Sequence, residues 1–231
     1  GVTASGTGAT KTITISGGGG GGLSSDSDNN TVGGTNAGDS ITNGTDNTFL
    51  GKDAGTGLST GNRNTAIGYN AYKVGNNNDN TCIGNQAGEA LSSGSMNTLI
   101  GRRAGESITT GQSNTIVGMM ANAQGSRNVM LGQQAGQYSS CTDCIVIGSF
   151  CGQDIQGNNN IFMGRDTAKD ATTSTENVCI GRNSVKDFTT GSKNVIIGQD
   201  AGNTGTNNLT TGENNILIGH DAAASAADVD N

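Results

Sequence analysis

The sequence contains no proline, no tryptophan and a single histidine, and aromatic residues fill only 3% of its 231 positions. Leu, Ile, Val and Phe together number 39, about 17%, a share that falls where chains usually stay unfolded. One large compact core is excluded. The few apolar residues must recur at fixed places in a repeating unit, or the chain does not fold. No apolar run approaches the roughly 20 residues of a membrane helix, so membrane insertion is not expected. The 12 Lys plus Arg are scattered and the net charge is −7; phosphate binding needs a concentrated basic face, so nucleic acid is not an expected partner. No secretory leader is recognisable from Gly1 onward. Five cysteines, an odd number at irregular spacing, do not make a disulfide framework.

What is present is glycine, 40 residues of it, and a phrase that it punctuates: Asn-x-x-apolar-Gly. The phrase reads NTFLG at Asn47, NTAIG at Asn64, NTCIG at Asn80, NTLIG at Asn97 and NTIVG at Asn114. It continues as NVMLG at Asn128, CIVIG at Cys144, NIFMG at Asn160, NVCIG at Asn177, NVIIG at Asn194 and NILIG at Asn215. A weaker copy, NTVGG, begins at Asn30, which makes twelve. The intervals between closing glycines are 17, 17, 16, 17, 17, 14, 16, 16, 17, 17 and 21 residues. Gly-x-x-Ala-Gly usually follows, as at Gly51 to Gly55 and Gly198 to Gly202, and then a polar turn such as Thr109 to Gly111.

Each unit therefore holds one short apolar stretch rich in β-branched residues and ended by glycine, which is a strand rather than a helix. One unit cannot bury its face alone, and about 16 residues suit one coil, so the fold class is all-β: a parallel β-solenoid of about twelve coils of 14–21 residues. Asn before each strand and Gly after it suit tight corners. Asn47, Asn64, Asn80, Asn97, Asn114, Asn128, Asn160, Asn177, Asn194 and Asn215 are expected to stack as a structural ladder. Side chains alternate along a strand. The residue before the closing glycine (Leu50 through Ile218) thus faces one side, and its predecessor faces the other. Both sets are apolar. One fills the coil, and the other asks for a partner along its length, most simply another copy of the chain. Phe49, Leu99, Ile116, Met130, Phe162, Ile196 and Leu217 are the candidates for core or subunit interface.

These phrases resemble the head repeats of trimeric autotransporter adhesins, whose basic unit the 14-residue interval from Gly118 to Gly132 matches most nearly. The longer NTxIGxxAGxxLTTG form resembles bacteriophage tail-fibre proteins, in which such repeats often precede an intramolecular chaperone. Most coils are two or three residues longer than the adhesin unit, and Cys144 interrupts the Asn series. The resemblance implies a left-handed β-roll, a homotrimer, and a virion tail fibre that attaches to a host. The receptor would be a surface polysaccharide or surface protein, with other virion proteins as further partners. Alternatives are a bacterial trimeric adhesin at the cell surface, an ice-binding solenoid, and a polysaccharide-degrading solenoid. The terminal HDAAASAADVDN resembles the last coils before a chaperone and implies a chain that is part of a longer one. Residues 23–231 form the repeat region. Residues 1–22 form a separate module: Lys11 to Ser16 (KTITIS) alternates like a strand, and Gly17 to Gly22 read as a flexible joint.

No catalytic residue, metal site or cofactor is assigned. Cys141 and Cys144 form a CxxC, yet a zinc site needs two more ligands and the only histidine, His220, is more than four coils away. All five cysteines read as small apolar substitutes. His220 has no evident partner for nucleophilic catalysis. Asp53, Glu89, Asp166 and Asp200 fall in turns, with no pair singled out for glycoside cleavage. Asp26 to Asn30 (DSDNN) reads as an acidic turn. Ice binding needs a regular Thr array, and Thr48, Thr65, Thr81, Thr98 and Thr115 give way to Val129, Ile145 and Ile161.

Overall fold

The computed structural model describes residues 2–5, 12–15, 23–205 and 208–224. The glycine joint at residues 17–22 and the tail from residue 225 lie outside the described residues. The chain is all-β, a parallel β-solenoid with no helix among the described residues. It divides into two units, residues 1–110 and 111–231.

The first unit opens with a hairpin: β1 (Val2–Ser5) runs antiparallel to β2 (Thr12–Ile15). Only β2 announces itself in the sequence. A two-residue strand, β3 (Ser24–Ser25), then pairs antiparallel with β4 (Thr31–Gly33). From there the strands are parallel and in register: β4, β5 (Thr48–Leu50), β6 (Thr65–Ile67), β7 (Thr81–Ile83) and β8 (Thr98–Ile100). The second unit repeats the plan with seven parallel strands. They are β9 (Thr115–Val117), β10 (Val129–Leu131), β11 (Ile145–Ile147), β12 (Ile161–Met163), β13 (Val178–Ile180), β14 (Val195–Ile197) and β15 (Ile216–Ile218).

Each coil thus has one three-residue strand, and turns make up the rest. The turns also bond from coil to coil: Gly38 N–H to Ala54 O at 2.9 Å, Gly55 N–H to Ala71 O at 3.0 Å, and Asp53 N–H back to Thr35 O at 2.9 Å. Stacking therefore satisfies turn backbone as well as strand backbone, which lets a loop-rich chain bury polar groups.

The closing glycines make this stacking close. Gly51 has φ of +133°, and a Cβ there would lie 2.7 Å from the carbonyl oxygen of Gly68. No L-residue combines that dihedral with that clearance. At least two further residues per coil adopt left-handed backbone without being glycine, as Asp46 and Asp53 do at φ of 60° and 58°.

Three inward rows fill each coil. The middle strand residue is fully buried, as at Phe49, Leu99, Ile116 and Phe162. A small residue three positions after the closing glycine follows, as at Ala54, Ala87, Ala104 and Ala135. The third row, seven positions after that glycine, holds Leu58, Leu91, Ile108, Ile155 and Phe188, all fully buried. In the coil after Gly68 that place is Gly75, and the buried ring of Tyr72 occupies the space a side chain there would need. A sequence reading of one apolar stretch per unit is therefore incomplete: the turns supply two of the three inward rows.

Candidate functional site

The corner before each strand is built around the asparagine. In the first unit Asn47 Nδ2 donates to Asn30 Oδ1 at 2.9 Å and to Gly61 O at 2.9 Å, and Asn64 N–H and Nδ2 donate to Asn47 Oδ1 at 2.9 and 3.1 Å. Asn80 and Asn97 extend the series, each bonding the Oδ1 of the asparagine one coil below. In the second unit Asn128 bonds Asn114, Asn177 bonds Asn160, Asn194 bonds Asn177 and Asn215 bonds Asn194, by N–H and Nδ2 alike. All of these asparagines are at most 1% exposed. Their amides are consumed by the fold, which leaves none to hold a ligand.

Asp26 begins the first series. Its carboxylate accepts from Asn30 N–H at 2.8 Å, from Asn30 Nδ2 at 3.0 Å and from Asp28 N–H at 3.0 Å, so it supplies the acceptor that a preceding asparagine would. Burial opposes ionisation there, but the bonds from Asn30 outweigh it and hold the carboxyl below its ordinary range. The DSDNN turn is a ladder cap.

The strand faces separate cleanly. Phe49, Leu99, Ile116, Met130, Phe162 and Ile196 are fully buried within a single chain, so they form coil interior and present nothing to a neighbour. Leu217, on the last strand, is half-buried. The outward row is the residue before the closing glycine. Leu50, Ile67, Ile83 and Ile100 in the first unit, and Val117, Leu131, Ile147, Met163, Ile180 and Ile197 in the second, are all half-buried in the isolated chain, and Ile218 is exposed. Beside it on the same face lies the first strand residue, Thr in β5 to β9 and Val or Ile from β10 onward. This outer face is the candidate functional surface, and from β10 onward it is two apolar residues wide.

The acidic turn residues bond to their surroundings. Asp53 accepts from Asn36 Nδ2 at 2.8 Å, Glu89 from Asn70 Nδ2 at 2.9 Å and Gln86 Nε2 at 2.7 Å, and Asp166 pairs with Arg165 at 3.1 Å. Among the described residues one cluster of ligating groups forms: Asp200, His220 and Asp221 lie within 4.8 Å of one another. His220 Nδ1 is 2.9 Å from Asp221 Oδ2, with both side chains more than half exposed. The Asp200 oxygens already accept from Asn183 Nδ2 at 2.8 Å and Gln199 Nε2 at 3.0 Å, and these bonds lower its pKa.

Of the cysteines, Cys82 and Cys179 are middle-strand residues and Cys151 takes the alanine place; all three are buried, and burial pushes their thiols up. Cys141 and Cys144 do not fit the small-substitute reading. They stand at the polar corner, where Cys144 N–H donates to Asn128 Oδ1 at 2.9 Å as an asparagine's would.

No family model, no curated protein and no solved structure matches the chain.

Proposed function

We propose that this chain is a structural segment of an attachment fibre of the viral tail-fibre kind, a homotrimer of left-handed β-rolls whose outer strand faces meet. The observation that carries this reading is the outward row. A chain with few large apolar residues places ten of them, from Leu50 to Ile197, half-exposed on the strand face outside the coil. The coil interior is already filled by three other rows, and the outward row remains half-exposed in one chain. A patch on the order of several hundred Å² marks an interface, and its burial at about 25 cal/mol per Å² favours association before entropy costs. The resemblance of the NTxIGxxAG phrases to trimeric fibre repeats supports three copies. In such a trimer the polar turns face outward in three equivalent rows, each a weak contact for a surface polysaccharide or protein, and avidity adds them up.

Two measurements test the reading. Native mass of the purified chain is expected at three times the monomer, and Ile147→Asp with Ile180→Asp should release monomers that keep the strand signal in circular dichroism. A folded wild-type monomer overturns the trimer. Antibodies to the repeat region, used for immunogold labelling, should decorate fibres on virions of the encoding genome; gold confined to a bacterial surface refutes the tail-fibre assignment in favour of an adhesin.

A further inference from the structure

Eleven corners lead into β5 to β15, and ten of them end in asparagine. Three residues earlier the corner carries glycine in eight cases, for example at Gly44, Gly61, Gly111 and Gly157. The two positions face one another. A Cβ built on Gly44, Gly61 or Gly111 would lie 3.1, 3.2 or 3.0 Å from the Nδ2 of Asn47, Asn64 or Asn114. Asn77 and Ser174 each replace the glycine but keep the asparagine. One corner changes both positions at once, and both become cysteine: Cys141 and Cys144.

Two side chains that meet across a three-residue turn are here two thiols, each fully buried. Cys141 Sγ lies 3.7 Å from Asn128 Oδ1, and Cys144 Sγ lies 3.6 Å from Gly157 O and 3.7 Å from Thr142 O. Cys144 Sγ thus stands where a carboxamide stands in the other coils, and Cys141 Sγ where most corners have only glycine. The hydrogen bond from Cys141 lowers the pKa of Cys144 despite its burial, and the N–H and Nδ2 of Asn160 add to it. The same bond, with burial, holds the Cys141 proton on.

We propose that Cys141 and Cys144 are a disulfide-forming pair, which a small-molecule disulfide oxidant such as oxidised glutathione closes into a covalent staple at the one corner lacking the ladder asparagine. The Cys144 thiolate attacks one sulfur of the oxidant and expels one thiolate, leaving a mixed disulfide on Cys144. The Cys141 sulfur, once deprotonated, attacks Cys144 Sγ and expels the second thiolate. The two protons from the pair end on the two released thiols, and the oxidant takes up the two electrons. The bridge gives up the two S–H donors, which face Asn128 Oδ1, Thr142 O and Gly157 O. Cys82, Cys151 and Cys179 sit on inward rows, away from this corner, and remain thiols.

Burial restricts entry of the oxidant, so the full chain is tested in two arms. One is the native protein in a glutathione redox buffer; the other is refolded from denaturant in the same buffer. Both are then quenched by alkylation under denaturing conditions and mapped by mass spectrometry. A bridge in either arm is expected, with a mass lower by about 2 Da, three alkylated cysteines, and one linked peptide holding Cys141 and Cys144. Five alkylated cysteines in both arms, or a bridge that uses Cys82, Cys151 or Cys179, overturns the proposal. The double variant Cys141→Gly, Cys144→Asn restores the common corner and separates a staple from mere packing. Amide exchange at Val146 and Asn160 should slow about tenfold on oxidation of the parent and stay unchanged in the variant. Equal exchange in oxidised and reduced parent removes the staple role.

Discussion

Asn177 offers a clean test of the ladder, because its bonds are complete on both sides. Its Nδ2 donates to Asn160 Oδ1 at 3.1 Å and to Gly191 O at 3.0 Å; its Oδ1 accepts from Asn194 N–H at 3.0 Å and from Asn194 Nδ2 at 3.1 Å. Asn177→Ala removes all four bonds. Two of the abandoned groups, the Asn194 N–H and the Gly191 carbonyl, keep no side-chain partner at this buried corner. Each orphan costs about 1–3 kcal/mol, and each of the other lost bonds about 1 kcal/mol, so the expected loss is roughly 4–8 kcal/mol. Asn177→Cys is the informative companion. Cys144 already occupies the equivalent place, where its N–H donates to Asn128 Oδ1 at 2.9 Å and its Sγ lies 3.6 Å from Gly157 O, so cysteine at 177 should cost only about 1–2 kcal/mol. Under reducing conditions Cys144→Asn should be neutral or stabilising.

Global melting blurs such effects in a repeat array, where each coil is coupled mainly to its neighbours. Native-state hydrogen exchange reads them locally. In Asn177→Ala the amides of β13 and β14 should exchange at least roughly 100-fold faster, whereas those of β4 and β5 should hardly change. A loss under about 1 kcal/mol, or a cysteine variant as damaged as the alanine one, would refute the reasoning that the ladder's value lies in satisfying buried backbone.

Gly132→Ala should cost more than about 3 kcal/mol in urea unfolding, because φ is +132° and the new Cβ would lie 2.7 Å from the Gly148 carbonyl. Gly205→Ala, at φ +84° with open space around it, should cost only about 1 kcal/mol. Burial raises the Tyr72 phenol from 10.0 to about 12, so the folded state keeps a proton that the unfolded state releases. That contribution is present below pH 10 and is lost as pH rises from there toward 12, a fall of roughly 2–3 kcal/mol; Tyr72→Phe should abolish this step in stability measured against pH.

The strands and the asparagine corners were legible because they share one phrase, and a phrase repeated twelve times fixes its own register. The third core row was not, although Leu58, Leu91, Ile108 and Phe188 each stand seven residues after a closing glycine. They are single apolar residues among polar turn residues, so neither strand alternation nor helical periodicity marks them. Only aligning coil on coil, the one-dimensional logic of a solenoid, exposes the row, and Tyr72 hides it further by reaching in from a neighbouring position. The cysteine corner was illegible for a different reason. CxxC carries no geometry until it is known that the positions three apart face each other, and that fact lies in the glycine clearances at Gly44, Gly61 and Gly111. The same register argument bears on the outer face. The middle-strand, alanine and leucine rows and the asparagine corners all face inward, where contacts within the coil account for them. The row from Leu50 to Ile197 lies outside the coil and stays half-exposed, yet each of its ten members is Leu, Ile, Val or Met. An outward row that stays apolar through ten coils supports the proposed association, because an in-register second copy has a repeat of the same spacing.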